Sequence, residues 1–163
     1  MHEDKEELIK MFGRWIKCNK IILVVILCAA VFVGIQVYMF KSVKNVEEDF
    51  YAITHNQKRS DTDYGMLLHY DYTDECEIES VKEYNFDMYY VWHNGKKGYI
   101  EVTYRYLISG KGEENYRGSS GVSRWYIEKR DKRWVVVKIE EPDGAATMVW
   151  TPEGTDVIDE TFY

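Results

Sequence analysis

The sequence predicts an α+β protein: an N-terminal transmembrane helix followed by two helices packed on a curved four-stranded antiparallel sheet. Three observations predict it. Residues 21–40 carry no charge over twenty positions. Val43, Val46, Phe50 and Ile53 then recur at helical spacing. From Val81 onward the apolar period changes to two, the period of a half-buried strand.

The run IILVVILCAAVFVGIQVYMF has one amide, Gln36, as its most polar side chain. A helix of that length spans roughly 30 Å, the thickness of a bilayer core. A cleaved signal has a shorter apolar region ending at small residues. Ala29 and Ala30 offer such a site, but ten apolar-leaning residues follow them. A lipoprotein signal ending at Cys28 is disfavoured by Leu27 just before it. A buried core helix would carry a polar face, and this run has none. An uncleaved anchor is the favoured reading.

Lys5, Lys10, Arg14, Lys17 and Lys20 precede the run, and only Lys41 and Lys44 follow it closely. The excess of cations before it places the N-terminus in the cytoplasm and the C-terminal domain outside the cell membrane. Trp15 and Tyr38 fall near the two interfaces. The chain divides into a cytoplasmic tail (1–20), a single span (21–40), an extracytoplasmic domain (41–141) and an acidic C-terminal tail (142–163). In the tail, Leu8, Met11, Phe12 and Trp15 share one helical face, as in a segment resting on the bilayer.

The chain carries 21 Lys and Arg against 28 Asp and Glu. The part beyond residue 40 has a surplus of eight acids. Nucleic-acid binding needs surplus cations, so it is not expected. The same surplus argues against the domain lying on anionic lipid. Cys18 and Cys28 lie at or in the span. Cys76 stands alone outside, so the domain forms no internal disulfide. The absence favours a bacterial envelope protein and leaves Cys76 as a lone thiol or an intermolecular bridge.

Residues 43–59 read as one helix, with acids early and Lys58 and Arg59 late, as the helix dipole favours. A break falls near Lys41 and Ser42. Residues 61–70 read as a shorter helix, capped by Asp61 or Asp63. An acidic connection, 71–80, leads to the sheet. In the first strand Phe86, Met88, Tyr90 and Trp92 alternate with Asp87, Tyr89 and Val91. Asn94-Gly95 marks a hairpin. In the second strand, Tyr99–Ser109, Ile100, Val102, Tyr104, Tyr106 and Ile108 face one way, with Glu101, Thr103 and Arg105 opposite. A glycine-rich loop leads to a third strand, Val122–Lys129. The turn 130–132 leads to a fourth, Arg133–Glu140. Glu141-Pro142-Asp143-Gly144 stops it. Ala145–Trp150 reads as an edge strand, followed by a turn and a loose end.

Helix, shorter helix and twisted antiparallel sheet together resemble the nuclear-transport-factor-2-like cone. The resemblance covers roughly residues 43–140. It rests most on the hairpin RWYIEKRDKRWVVVKIEEP, with Trp125 on one strand and Trp134 leading the next. One tail, one span and one outer cone are further similar in layout to the inner-membrane scaffold subunits of type IV secretion and conjugation machines.

The search for chemistry returns little. His69 and Asp71 sit two apart and do not share a helical face. His93 lies in a turn. Glu101 and Arg105 lie on one strand face and read as solvated or as an ion pair. The run Asp71, Asp74, Glu75, Glu77, Glu79 lacks the spacing and central glycine of a calcium loop. GKGEENYRGSSG joins two strands and opens no helix, which makes it a poor phosphate cradle. No catalysis, cofactor or metal is expected. Thirteen tyrosines and four tryptophans lie beyond residue 40. Tyr90, Trp92, Tyr104, Tyr106, Trp125 and Trp134 are the candidate interaction residues, since aromatics on a sheet make protein-binding surfaces. The expected function is a protein-interaction scaffold module that joins envelope proteins or self-associates. The alternative is a small-ligand-binding or sensing domain using the cone pocket.

Overall fold

The computed structural model describes residues 10, 11, 13, 20–55, 64–71, 78–110, 115–143 and 146–159. The chain separates into two compact units, Met1–Tyr38 and Met39–Tyr163. The first is dominated by helix α1 (Lys20–Ser42), which buries no residue. Among the described residues it is the one helix long and apolar enough to cross a membrane by length and composition. The tail helix expected before it lies almost entirely outside the described residues.

In the second unit the chain turns at Val43 (φ −101°, ψ 8°). The Ser42 hydroxyl donates to the Met39 carbonyl at 2.8 Å, closing the last turn of α1. Helix α2 (Lys44–Thr54) then starts afresh, so the break falls where the sequence places it. Its stripe of Val46, Phe50 and Ile53 is buried. The helix stops at Thr54, whose hydroxyl bonds back to the Phe50 carbonyl at 3.0 Å. Positions 56–59, read from sequence as its continuation, lie outside the described residues, as do 61–63 of the second helix.

That second helix is a single 3-10 segment, Met66–Tyr70. Gly65 precedes it at φ +57° and bridges to Val136 in parallel. A Cβ there would run into the Val136 carbonyl oxygen, so position 65 requires glycine for both conformation and space.

The sheet has seven strands where the pattern predicts four: β1 (Ile78–His93), β2 (Lys97–Gly110), β3 (Asn115–Ser119), β4 (Ser123–Arg130), β5 (Arg133–Asp143), β6 (Ala146–Thr151) and β7 (Gly154–Asp159). All pairings are antiparallel in the order β1-β2-β4-β5-β6-β7, with β3 beside β2. Strand β2 pairs β4 through Lys97–Val102 and β3 through Arg105–Ser109. The glycine-rich loop therefore contains a strand. Its Gly118 lies opposite Tyr106, and a side chain there would overlap the Tyr106 ring. The ring covers the glycine, a pairing that keeps an edge strand in register.

The C-terminal stretch is also ordered sheet as far as Asp159, and not a loose tail. Pro142 does not stop β5. It lies past the last β4 partner, Arg124↔Glu140, and faces β6 alone through Thr147. A proline is tolerated where one side of the strand has no ladder. At the β4–β5 turn Asp131 (φ 45°) and Lys132 (φ 70°) both take positive φ, the geometry that matches the twist of a tight hairpin.

One face of the sheet packs on α2 and the 3-10 segment. Phe50 lies at the centre of this core. Its ring centroid is 5.3 Å from those of Tyr70, Phe86 and Tyr104, and 5.4 Å from that of Trp125.

Candidate functional site: the uncovered face of the sheet

Strand β1 changes phase along its length. Phe86 and Met88 are half-buried on the core side, and Val91 and His93 are buried on the same side. The change is a β-bulge: Met88 faces Val102 and Tyr90 faces Glu101, leaving Tyr89 as the extra residue. A bulge shifts every later side chain to the other face. Tyr90 and Trp92 therefore point away from the core, at 37% and 45% exposure, with Tyr89 at 59%. Strict alternation with Phe86 and Met88, as the sequence suggests, does not hold.

These residues open a stripe that crosses the uncovered face. Tyr90 lies 5.7 Å and Trp92 6.1 Å from Tyr99 of β2, ring to ring. Tyr99 lies 6.3 Å from Tyr126 of β4. The Tyr89 hydroxyl accepts from Thr103 Oγ1 at 3.2 Å. Cations lie over the inner rings: Arg124 over Tyr99 at 4.8 Å and Lys138 over Tyr126 at 4.7 Å. Each is steadied by a carboxylate. Arg124 donates to Glu101 at 2.6 Å, and this bond raises the guanidinium pKa. Lys138 meets Glu140 at 2.5 Å, which likewise raises its pKa. Such pairs add little stability at a surface, but they fix the side chains in place.

Two open grooves adjoin the stripe. One, of about 740 Å³, lies where β3 and β4 part along β2 and is lined by Asn85, Thr103, Arg105 and Ser119. The other, of about 310 Å³, is lined by Glu101, Arg124, Glu140 and Thr147. No described element covers this face.

The six candidate aromatics separate into two groups. Tyr90 and Trp92 are on the uncovered face. Tyr104, Tyr106, Trp125 and Trp134 are at most 5% exposed and build the core. Tyr99 and Tyr126 were missed although their phase was legible, since each alternates with a core residue of its strand. Tyr89 alternates in the same way with Met88; it is the outward turn of Tyr90 and Trp92 that had no signal, because the bulge is a tertiary feature.

A polar cluster joins two tyrosines of the core to the end of β5. The hydroxyls of Tyr70 and Tyr104 both donate to Glu141 Oε1, at 2.6 and 2.5 Å. Burial raises the Tyr70 pKa well above the phenol range, followed by the nearby Tyr104 and Glu141. The cluster ties the 3-10 segment and β2 to the end of β5. Both donors converge on one oxygen of the carboxylate.

His69 is exposed and packs on Trp150 at 4.9 Å. No hydrogen bond joins it to Asp71 among the described residues. Glu101 pairs with Arg124, and not with Arg105, one of the two readings the sequence leaves open. Among the described residues no three His, Cys, Asp or Glu side chains are grouped to hold a metal. Most of the acidic run at 71–79, and Cys76, lie outside those residues. Comparison with protein-family models, with curated proteins and with solved structures finds no match for this chain.

Proposed function

We propose that this is a single-pass membrane protein, with a cytoplasmic N-terminus, whose extracytoplasmic domain is a non-enzymatic protein-interaction module. It joins other envelope proteins or a second copy of itself. The observation that carries this reading is the stripe of Tyr89, Tyr90, Trp92, Tyr99 and Tyr126 on the face that no described element covers. A one-sided antiparallel sheet ordinarily presents polar residues to water. Tyrosine, tryptophan and arginine together are the residues enriched where proteins meet.

The layout of tail, span and outer domain supports the narrower reading, a scaffold subunit in a secretion- or conjugation-like envelope assembly. It rests on the resemblance of the helix-and-sheet pattern to the nuclear-transport-factor-2-like cone. The pocket-based alternative has less support. Phe50, Tyr70, Phe86, Tyr104 and Trp125 occupy the space between α2 and the sheet.

The experiment is affinity purification of the tagged full-length protein from its own membrane after mild crosslinking. It is run beside Tyr90→Ser/Trp92→Ser and beside Leu68→Ser, a control at an exposed residue of the 3-10 segment. The reading predicts a reproducible set of partners lost only from the double variant. Partners retained by the double variant, or none recovered with any form, would count against it.

A further inference from the structure

We propose that the end of the domain where the chain enters it is a docking surface for anionic lipid headgroups. The inference rests on the reading of α1 as a membrane span. Met39 and Phe40, the end of the apolar run, pack on the core of the domain, and Val43 is fully buried in it. Only Lys41 and Ser42 intervene, so no linker separates the apolar run from the domain.

Two hairpin tips are fastened at this end. His93, at the end of β1, bonds through Nε2 to Ser42 Oγ at 2.8 Å. The β4–β5 tip is held to the start of α2. Asn45 donates to the Trp134 carbonyl at 2.8 Å and accepts from its N–H at 3.2 Å. The two tips are joined to each other by the Lys129 N–H and the Lys96 carbonyl at 2.7 Å. Ser42 lies about 3 Å of helix rise beyond Phe40. The headgroup layer beyond the hydrocarbon is roughly 5–8 Å deep. Both tips are thereby tied to residues that follow the end of the apolar run by no more than a few positions.

The tips are cationic. Lys96 and Lys97 lie on the first, and Lys129, Arg130, Lys132 and Arg133 on the second. Lys41 and Lys44 flank the entry. All but Arg133 are exposed. Of the carboxylates among them, Asp49 is paired with Arg133 and Glu128 with Lys97, and Asp131 is exposed. Even with Glu47 and Glu48 of α2 included, eight cations stand against five acids here. The rest of the chain beyond residue 40 has eight cations against nineteen acids. The acidic net charge hides a basic end, and that end is the one chained to the apolar run. An anionic headgroup layer is the partner whose charge and position fit it.

The test is hydrogen–deuterium exchange of the full-length chain in vesicles of phosphatidylcholine alone and of phosphatidylcholine mixed equally with phosphatidylglycerol. Amides of residues 94–97 and 130–133 should exchange about tenfold more slowly with the anionic lipid. The slowing should fade as salt is raised and vanish in Lys96→Glu/Lys97→Glu/Lys132→Glu, while exchange in β6 and β7 stays unchanged. Equal exchange in the two lipids, or slowing indifferent to salt, overturns the proposal. The salt series on the unmodified chain decides the matter even if the variant misfolds. Alkaline carbonate extraction separates the underlying reading. A chain washed out of the vesicles refutes the span; a chain retained without lipid-dependent exchange refutes the docking surface alone.

Discussion

His93 Nε2 and Ser42 Oγ, 51 residues apart in sequence, lie 2.8 Å apart and join β1 to the end of α1. The Gly95 N–H donates to Nδ1 at 3.2 Å, so the neutral ring carries its proton on Nε2 and donates to Ser42. The Ser42 proton is directed to the Met39 carbonyl. A second ring proton would face the Gly95 N–H. Burial, and then Lys129, lower the pKa of His93, and burial also lowers that of His55. With a folded pKa below the unfolded one, the unfolded chain takes up protons first as pH falls. Stability is fully present above about pH 6.5 and is lost as pH falls through the folded pKa. Thermal unfolding of the full chain should show a midpoint falling on acidification from pH 7 to 5. His93→Gln should flatten part of that fall. A midpoint rising over the same range would contradict the assignment.

Phe50 contacts aromatic rings from three strands and the 3-10 segment. Phe50→Ala should cost about 3–5 kcal/mol, since the surrounding rings cannot collapse fully into the cavity. Denaturant unfolding checks this. A loss below about 1 kcal/mol would mean that the centre of the core lies elsewhere.

Gly65→Ala should destabilise by at least about 1–3 kcal/mol, through its positive φ and its approach to Val136. Gly95→Ala provides the comparison. It too has positive φ, but open space around it, so only the conformational part of the cost should appear in its unfolding curve.

The Tyr70–Glu141–Tyr104 cluster gives a fourth thermodynamic prediction. Bonds to a carboxylate are worth about 1.5–3 kcal/mol each. Tyr70→Phe and Glu141→Leu should each destabilise, and their combination should cost less than the sum, because both remove the same bond. Additive costs in the double-mutant cycle would argue against the shared contact. The raised pKa of Tyr70 adds a pH signature: stability holds up to about pH 10 and falls above it, as the unfolded chain releases its phenolic protons first.

The sequence shows the apolar run, the Val43–Ile53 stripe and the alternation of β2 and β4, because each is a local period that burial imposes directly. Val43, Val46, Phe50 and Ile53 are all buried, as their spacing implies. The bulge at Tyr89 is not legible. It shifts the phase between Met88 and Val91 without any glycine or proline to mark it. For the same reason the candidate residues mix two populations. A tyrosine in the core and a tyrosine on the uncovered face look alike until the strand's phase is known. Strand β6 is legible as the run Ala145–Trp150, whereas β3 and β7 hide behind glycine and proline signals that ordinarily end a strand. They persist because those residues lie where one side of the ladder is unoccupied or where the Tyr106 ring covers the gap.

The central claim is that the aromatic stripe meets another protein. The most direct measurement places a photoreactive phenylalanine at Trp92, and separately at Leu68, in the full-length chain, and irradiates cells carrying it. The account predicts a discrete protein adduct from Trp92, matching either a dimer of this chain or an envelope partner, and none from Leu68. No adduct at Trp92, or the same adducts at both positions, would contradict it.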